Sequence, residues 1–329
     1  MTVITADHIV VRGFSVRTGL VDPYLLFLYI RRMGMKKKKS HWFIIVTSVF
    51  LTAVIACFVL ISSMQESQYD RSNRLFSGEK YFYYNSQLIL RDPEIKDNIY
   101  KQEHFHMKDG RMSYDEDGVD TWFGIDVSGY QGWIRWSRVA EDGVQFAFIR
   151  LGNRGYSEGY IYKDSKFEYN YTEARKNGIP VGLYFYSQAV NDEEALEEAD
   201  YVLSQLGGRA LDLPIVFDWE FVSYDARTGN ITPEALSSAC NAFCDRIESA
   251  GYASMVYTNL YCAYSKYDYS KINGRYIWLA QYNDYPTFRY YFDVLQYSST
   301  GSVHGIEGDV DLNIMFIDPK SFLTRTGTT

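Results

Sequence analysis

From Trp122 onward the chain reads as eight short apolar runs: Phe123–Val127, Phe146–Leu151, Val181–Tyr186, Ile215–Trp219, Ser254–Thr258, Tyr276–Gln281, Phe292–Tyr297 and Asp311–Phe316. Each is apolar, β-prone and shorter than a buried helix, so each predicts a strand. Helical patterns separate the earlier runs. Asp164–Asn177 ends at Gly178, and Asp192–Leu206 follows the cap Asn191, with Glu194 three residues on, and stops at Gly207–Gly208. Pro233–Ala250 follows the cap Thr232 and stops at Gly251, with Leu236, Cys240, Phe243, Cys244 and Ile247 forming one apolar stripe. Strands alternating with helices predict parallel βα units, and eight such strands predict closure into a barrel. After Met255 the runs stand too close together for full crossover helices. The expected fold class is therefore α/β, an irregular TIM-like (β/α)5(β)3 barrel.

The residues ahead of the barrel predict a tether. Phe43–Ile61 holds no charge, and as a helix it would span roughly 28 Å, close to the hydrocarbon thickness of a bilayer. Lys36–Lys39 lie just before it, so the positive-inside rule puts the N-terminus in the cytoplasm and the remainder outside. A cleaved signal peptide is the competing reading. The length of the run and the poor cleavage sequence S-S-M-Q-E favour an uncleaved anchor. Met35 offers an alternative start. The expected organisation is a cytoplasmic segment at 1–41, one transmembrane helix at 42–62, an extracellular stalk at 63–118 with some local structure (Tyr81–Tyr84 with Leu88–Leu90, as a hairpin or packed on the main domain), the barrel at 119–320 and a tail at 321–329. The expected location is the cell membrane, single-pass, with the barrel extracellular.

Composition narrows the chemistry. The net charge is −8, although residues 1–41 are basic, so the body is acidic and nucleic acid is not an expected partner. Tyr, at 30 residues, lifts the aromatic share to 17 %, which suits a groove that stacks sugar rings but would equally suit a core or a sticky surface. The four Cys show no disulfide framework and lack companion ligands for zinc, so core packing is the expected role of Cys240, Cys244 and Cys262. His304 is the sole His beyond residue 106 and sits in a Gly-flanked loop, which leaves no plausible Ser-His-Asp or Cys-His nucleophile. No glycine-rich phosphate loop stands between a strand and a helix.

What remains is carboxylate chemistry at strand ends, where βα barrels carry their active sites. Asp126 ends the first run, and Asp218 and Glu220, spaced i, i+2 on one strand face, end the fourth. Asp311 opens the eighth. Tyr184 and Tyr186, Tyr257 and Asn259, Gln281, and Gln296 end the third, fifth, sixth and seventh. Two chemistries fit such a set: glycoside cleavage by an acid and an anionic partner, or a metal site of Asp and Glu. Glycoside cleavage fits better, because crowding acids into a partly apolar mouth raises one pKa and keeps a proton ready for the leaving oxygen. Trp219, between the two acids, points to the other strand face and is expected to pack.

Six ordered motifs, F-G-I-D-V-S-G-Y-Q-G (123–132), F-A-F-I-R-L-G (146–152), P-V-G-L-Y-F-Y-S (180–187), P-I-V-F-D-W-E (214–220), L-Q-Y-S-S-T-G (295–301) and G-I-E-G-D-V-D-L-N (305–313), resemble glycoside hydrolase family 25, the N-acetylmuramidase lysozymes. The resemblance covers roughly residues 119–318. It implies the same barrel and hydrolysis of the β-1,4 bond between N-acetylmuramic acid and N-acetylglucosamine in peptidoglycan glycan strands, with no cofactor and no metal. By motif match Glu220 would be the general acid and Asp218 the second essential carboxylate, as nucleophile or as stabiliser of acetamido participation. Asp126 and Asp311 would be the supporting acids. Tyr130 stands where members often carry His, which implies altered substrate contacts. An inactive peptidoglycan-binding module of the same fold and a chitinase-like glycosidase are the alternatives.

Overall fold

The computed structural model describes residues 81–322 and three short strands near the N-terminus. These three, β1 (Val3–Thr5), β2 (His8–Val11) and β3 (Phe14–Arg17), form an antiparallel sheet in the order β1-β2-β3. The expected transmembrane segment 42–62 lies outside the described residues, as does the first part of the stalk. Among the described residues no helix is long and apolar enough to cross a membrane.

The second unit is built on strands β8 (Trp122–Val127), β9 (Phe146–Arg154), β10 (Ile161–Lys163), β11 (Val181–Ser187), β12 (Ile215–Trp219), β13 (Ser254–Asn259), β14 (Tyr276–Ala280), β15 (Val294–Gly301) and β16 (Val310–Met315). Their order is β10-β9-β11-β12-β13-β14-β15-β16-β8, and β8 also pairs with β9, so eight strands close a ring. Pairing is parallel from β8 through β15, and β16 runs antiparallel to both neighbours. Strand β10 lies outside the ring, forming a hairpin with the end of β9 beyond the point where β8 stops.

Helices α1 (Trp136–Glu141), α2 (Phe167–Lys176), α3 (Asp192–Leu206), α4 (Pro233–Ser249) and α5 (Leu260–Ser265) follow the early strands. The Asn191 and Thr232 side chains accept from Glu194 N and Ala235 N, the capping bonds that start α3 and α4. The six-residue helices α1 and α5 and strand β10 are too short to leave a periodic signature in the sequence.

Alternation along each strand sorts side chains into two cores. Ile149, Leu183, Phe217, Trp219, Val256 and Leu279 join the layer between sheet and helices, where the α4 stripe with Cys240 and Cys244 also packs. Phe146, Phe148, Val216, Met255, Trp278, Val294 and Met315 fill the barrel. A Cβ on Gly124 would overlap the Phe146 ring and one on Gly182 the Phe148 ring, so two glycines make room for these phenylalanines.

Residues 81–118 carry the local structure expected at Tyr81–Tyr84 and Leu88–Leu90, but much more of the segment is folded than a stalk would be. They form two hairpins, β4 (Tyr81–Tyr84) with β5 (Gln87–Leu90) and β6 (Phe105–Lys108) with β7 (Arg111–Tyr114), and they fold onto the barrel. Asn98 N donates to Arg289 O at 2.9 Å, and Tyr291 N donates to Lys96 O at 2.8 Å. Tyr100 stacks on Phe316 with ring centroids 4.1 Å apart. Ile95, Phe105, Met112 and Tyr114 are buried in one core with Leu295, Tyr297, Leu312 and Ile314. The reason is geometric. Strands β15 and β16 have no crossover helix to cover their apolar outer face, and this segment supplies the cover. At the other end, Phe322 is 1 % exposed and packs against Tyr276, so the barrel core reaches into the expected tail.

Candidate active site

The four acids come together at the mouth where the parallel strands end and β16 begins. Asp126 and Asp311 are direct register partners on antiparallel β8 and β16. Asp218 is in register with Tyr186 on one side and Tyr257 on the other. Glu220 follows the last residue of β12. All four line one cleft of about 820 Å³, together with Tyr130, Tyr184, Tyr186, Tyr257 and Gln296.

Asn259 and Gln281 do not line it. The Asn259 side chain accepts from Cys262 N at 2.9 Å and caps α5. Gln281 bonds Thr287 through both ends of its amide, at 2.7 and 2.9 Å, and closes the loop after β14. Local hydrogen bonds engage both side chains, so the structure does not bring these two expected substrate contacts to the cleft. His304 is 85 % exposed, in keeping with a solvated loop residue.

A buried polar lattice holds Asp126. Its Oδ2 accepts from Gln296 Nε2 and Asn313 Nδ2, both at 2.8 Å. Trp278 Nε1 donates to Asn313 Oδ1 at 2.8 Å, while Tyr257 and Tyr282 donate their hydroxyls to Gln296 Oε1 at 3.0 and 2.8 Å. Each amide is thereby fixed in orientation, with its N–H toward the carboxylate. Burial, then the charge of Asp311, pushes the Asp126 carboxyl up to about 8 against the pull of the two amides. Burial likewise raises Asp311 to about 6.

Asp218 is 6 % exposed, and its buried Oδ1 has no hydrogen-bond partner among the described residues. Burial, then the charges of Glu220 and Asp126, holds its pKa well above the ordinary carboxylate range. Burial and the charge of Asp311 raise Glu220 as well. Four acids in so small a space cannot all ionise, so the mouth retains protons at pH values where free carboxyls have lost them.

Gln188, which is fully buried, anchors Glu220 from behind. Its Nε2 donates to the Glu220 backbone carbonyl at 3.0 Å and its Oε1 accepts from Thr228 Oγ1 at 2.7 Å. Trp219, between the two acids, is fully buried on the helix side near Tyr267.

The cleft also carries residues that the sequence analysis left unassigned, namely Arg150, Trp278, Tyr282 and, on the β9–β10 hairpin, Tyr156, Glu158 and Tyr162. Arg150 was accessible to the same logic that selected Asp126, since it stands near the end of a strand run. Tyr282 is one residue beyond Gln281. The hairpin residues follow from β10, which left no signal. Among the described residues no group of three or more His, Cys, Asp or Glu is arranged to hold a metal ion.

Such a barrel, with acids gathered at the strand ends, is the arrangement of a βα-barrel enzyme site, and the sequence pattern of glycosyl hydrolases family 25 matches residues 125–306, more than half of the chain. The chain belongs to that family. It is 32 % identical over 207 residues to Lysozyme M1 of Streptomyces globisporus, covering 58 % of this chain and 66 % of that one. It is 30 % identical over 195 residues to the autolytic lysozyme of Clostridium acetobutylicum, covering 58 % of this chain and 54 % of that one. The chain thus spans between about half and two thirds of the length of these relatives. The crystal structure of a bacterial lysozyme from Streptomyces coelicolor superposes with a TM-score of 0.51 at 28 % identity, covering 64 % of this chain and 98 % of that one.

Proposed function

We propose that the protein is a peptidoglycan hydrolase that cuts the β-1,4 bond between N-acetylmuramic acid and N-acetylglucosamine. The convergence of Asp126, Asp218, Glu220 and Asp311 on one cleft carries the reading. Glu220, its carboxyl raised by burial and by Asp311, donates a proton to the leaving glycosidic oxygen. When the proton for which the two acids compete sits on Glu220, Asp218 is ionised and faces the positive charge that develops at the sugar carbon. Its unpartnered Oδ1 is free to meet that charge. Asp126 and Asp311 set the charge of the mouth, and Tyr184, Tyr186 and Tyr257 offer ring faces and hydroxyls to the sugars. Water then completes the hydrolysis, and the proton it yields restores Glu220.

The test is digestion of purified cell walls, with mass spectrometry of the new ends. N-acetylmuramic acid at the new reducing end is the expected product. N-acetylglucosamine there would replace this reading with the other glycosidase specificity, and binding without cleavage would make the protein a wall-binding module. Glu220→Gln is expected to lower kcat about 10²- to 10⁴-fold while wall binding persists. Wild-type turnover in that variant would remove Glu220 as the acid.

We also propose that residues 42–62 anchor the protein in the cytoplasmic membrane with the barrel outside. Protease added to intact spheroplasts should then digest the barrel and spare residues 1–41. Full protection of the barrel would overturn the orientation.

A further inference from the structure

Arg150 stands on β9 in register with Tyr184 and lines the cleft. Its Nε donates to Asp164 Oδ2 at 2.8 Å, and the Asp164 side chain is 1 % exposed. The same Asp164 oxygen accepts from Gly129 N at 2.9 Å, and its other oxygen accepts from Lys166 N at 2.8 Å. The guanidinium is therefore clamped at Nε by a carboxylate that is itself held by two backbone amides. Among the described residues no acceptor takes its two terminal nitrogens, and it pairs with none of the four catalytic-site acids. Arg154, on the same strand, shows the contrast. Its guanidinium is consumed by Glu198, Glu197 and the carbonyls of Gly159 and Glu194.

A guanidinium carries five N–H donors in a rigid plane. Arg150 spends one on Asp164 and keeps four, on a side chain that is only 20 % exposed. The Tyr130 ring lies 5.3 Å from the guanidinium carbon, and Tyr130 is 87 % exposed. The result is a fixed, planar, positive fork beside an open aromatic face, inside a mouth that otherwise repels anions. Its complement is a carbonyl or carboxylate on a substituent of a ring lying against the tyrosine. Both sugars of the proposed substrate carry an acetamido group. Only N-acetylmuramic acid also carries a lactyl carboxyl, whose carbonyl oxygen persists when a peptide is attached.

We propose that Arg150, clamped by Asp164 and flanked by Tyr130, binds the lactyl carbonyl of N-acetylmuramic acid and so distinguishes that ring from N-acetylglucosamine. This rests on the muramidase reading of the cleft. The test measures dissociation constants by calorimetry in a Glu220→Gln background, for the tetrasaccharide of alternating N-acetylglucosamine and N-acetylmuramic acid and for chitotetraose. The parent is expected to prefer the muramic-acid tetrasaccharide by about 10- to 100-fold, the range of a charge-assisted hydrogen-bond pair. Arg150→Met should bring the ratio to near one with chitotetraose affinity unchanged. Arg150→Lys, a point charge without the fork, should recover part of it. An unchanged ratio in Arg150→Met, or equal weakening of both ligands, would overturn the proposal. Failure of the muramidase reading shows separately, in the wall digest of the wild-type enzyme, as new reducing ends without muramic acid.

Discussion

The two halves of the barrel interior are made by the same strand faces and obey opposite rules. Gly124 and Asp126, Phe148 and Arg150, Val216 and Asp218, Met255 and Tyr257, and Val294 and Gln296 each stand two positions apart. The lower member of each pair belongs to the apolar fill or makes room for it, and the upper member lines the cleft. The lower half gains free energy by removing apolar surface from water, and the upper half spends some of it by burying acids beside acids. Chemistry is thus placed one layer above a rigid support, which is what aiming a proton requires.

Changing one half should leave the other recognisable. The largest separation is expected at Asp218→Asn. Turnover should fall about 10²- to 10⁴-fold, as for loss of an essential carboxylate. Stability should rise, because the folded state raises the carboxyl's pKa and ionising it costs free energy. The sign follows from linkage: the cost is absent below the unfolded pKa and grows as pH climbs toward the folded value. Melting curves should therefore show a higher Tm for the variant at pH 8 and parity with wild type at pH 4. A lower Tm at pH 8 would contradict the strain assigned to this layer.

Phe148→Ala is the mirror case. Deleting a buried phenyl group should cost about 3–5 kcal/mol by urea unfolding. Below its Tm the variant should keep the pH profile of the wild type, and a displaced profile would mean that the two layers are not separable.

Asp311→Asn probes the upper layer from within. The negative charge of Asp311 raises the pKa of Glu220, after burial. Removing it lets Glu220 ionise earlier, so the alkaline limb of kcat/KM should move to lower pH. An unmoved limb would detach Asp311 from the acid.

The smallest effect is expected at Gln188→Leu, which removes the hydrogen bond that the side-chain amide donates to the Glu220 carbonyl. The proton donor loses alignment while the sugar contacts stay, so kcat should fall roughly 3- to 10-fold at constant KM. A change confined to KM would assign Gln188 a different part.

The ring was legible because each of its strands is a bounded apolar run, and the helices that are long enough to repeat announced themselves through caps and stripes. The acids were legible because ionisable groups at the ends of apolar runs have few other uses. Asn259 and Gln281 shared that position but had one: an Asn at a helix start and a Gln beside a tight loop serve the backbone first. Asn313 was hidden for the opposite reason. It lies inside an apolar run with no charge to mark it, and its role exists only through Trp278 and Asp126 in space. Of the segment 81–118 only the first hairpin was legible, from the apolar Tyr81–Tyr84 and Leu88–Leu90; the rest packs through scattered Tyr, Phe and Met, which leave no repeat.

That segment has a practical corollary for anyone cutting the gene. The family pattern begins at residue 125, and a fragment started there would carry an uncovered greasy flank along β15 and β16. Such a fragment would self-associate rather than report on catalysis, and the smallest well-behaved enzyme begins near residue 78, where the compact unit itself begins.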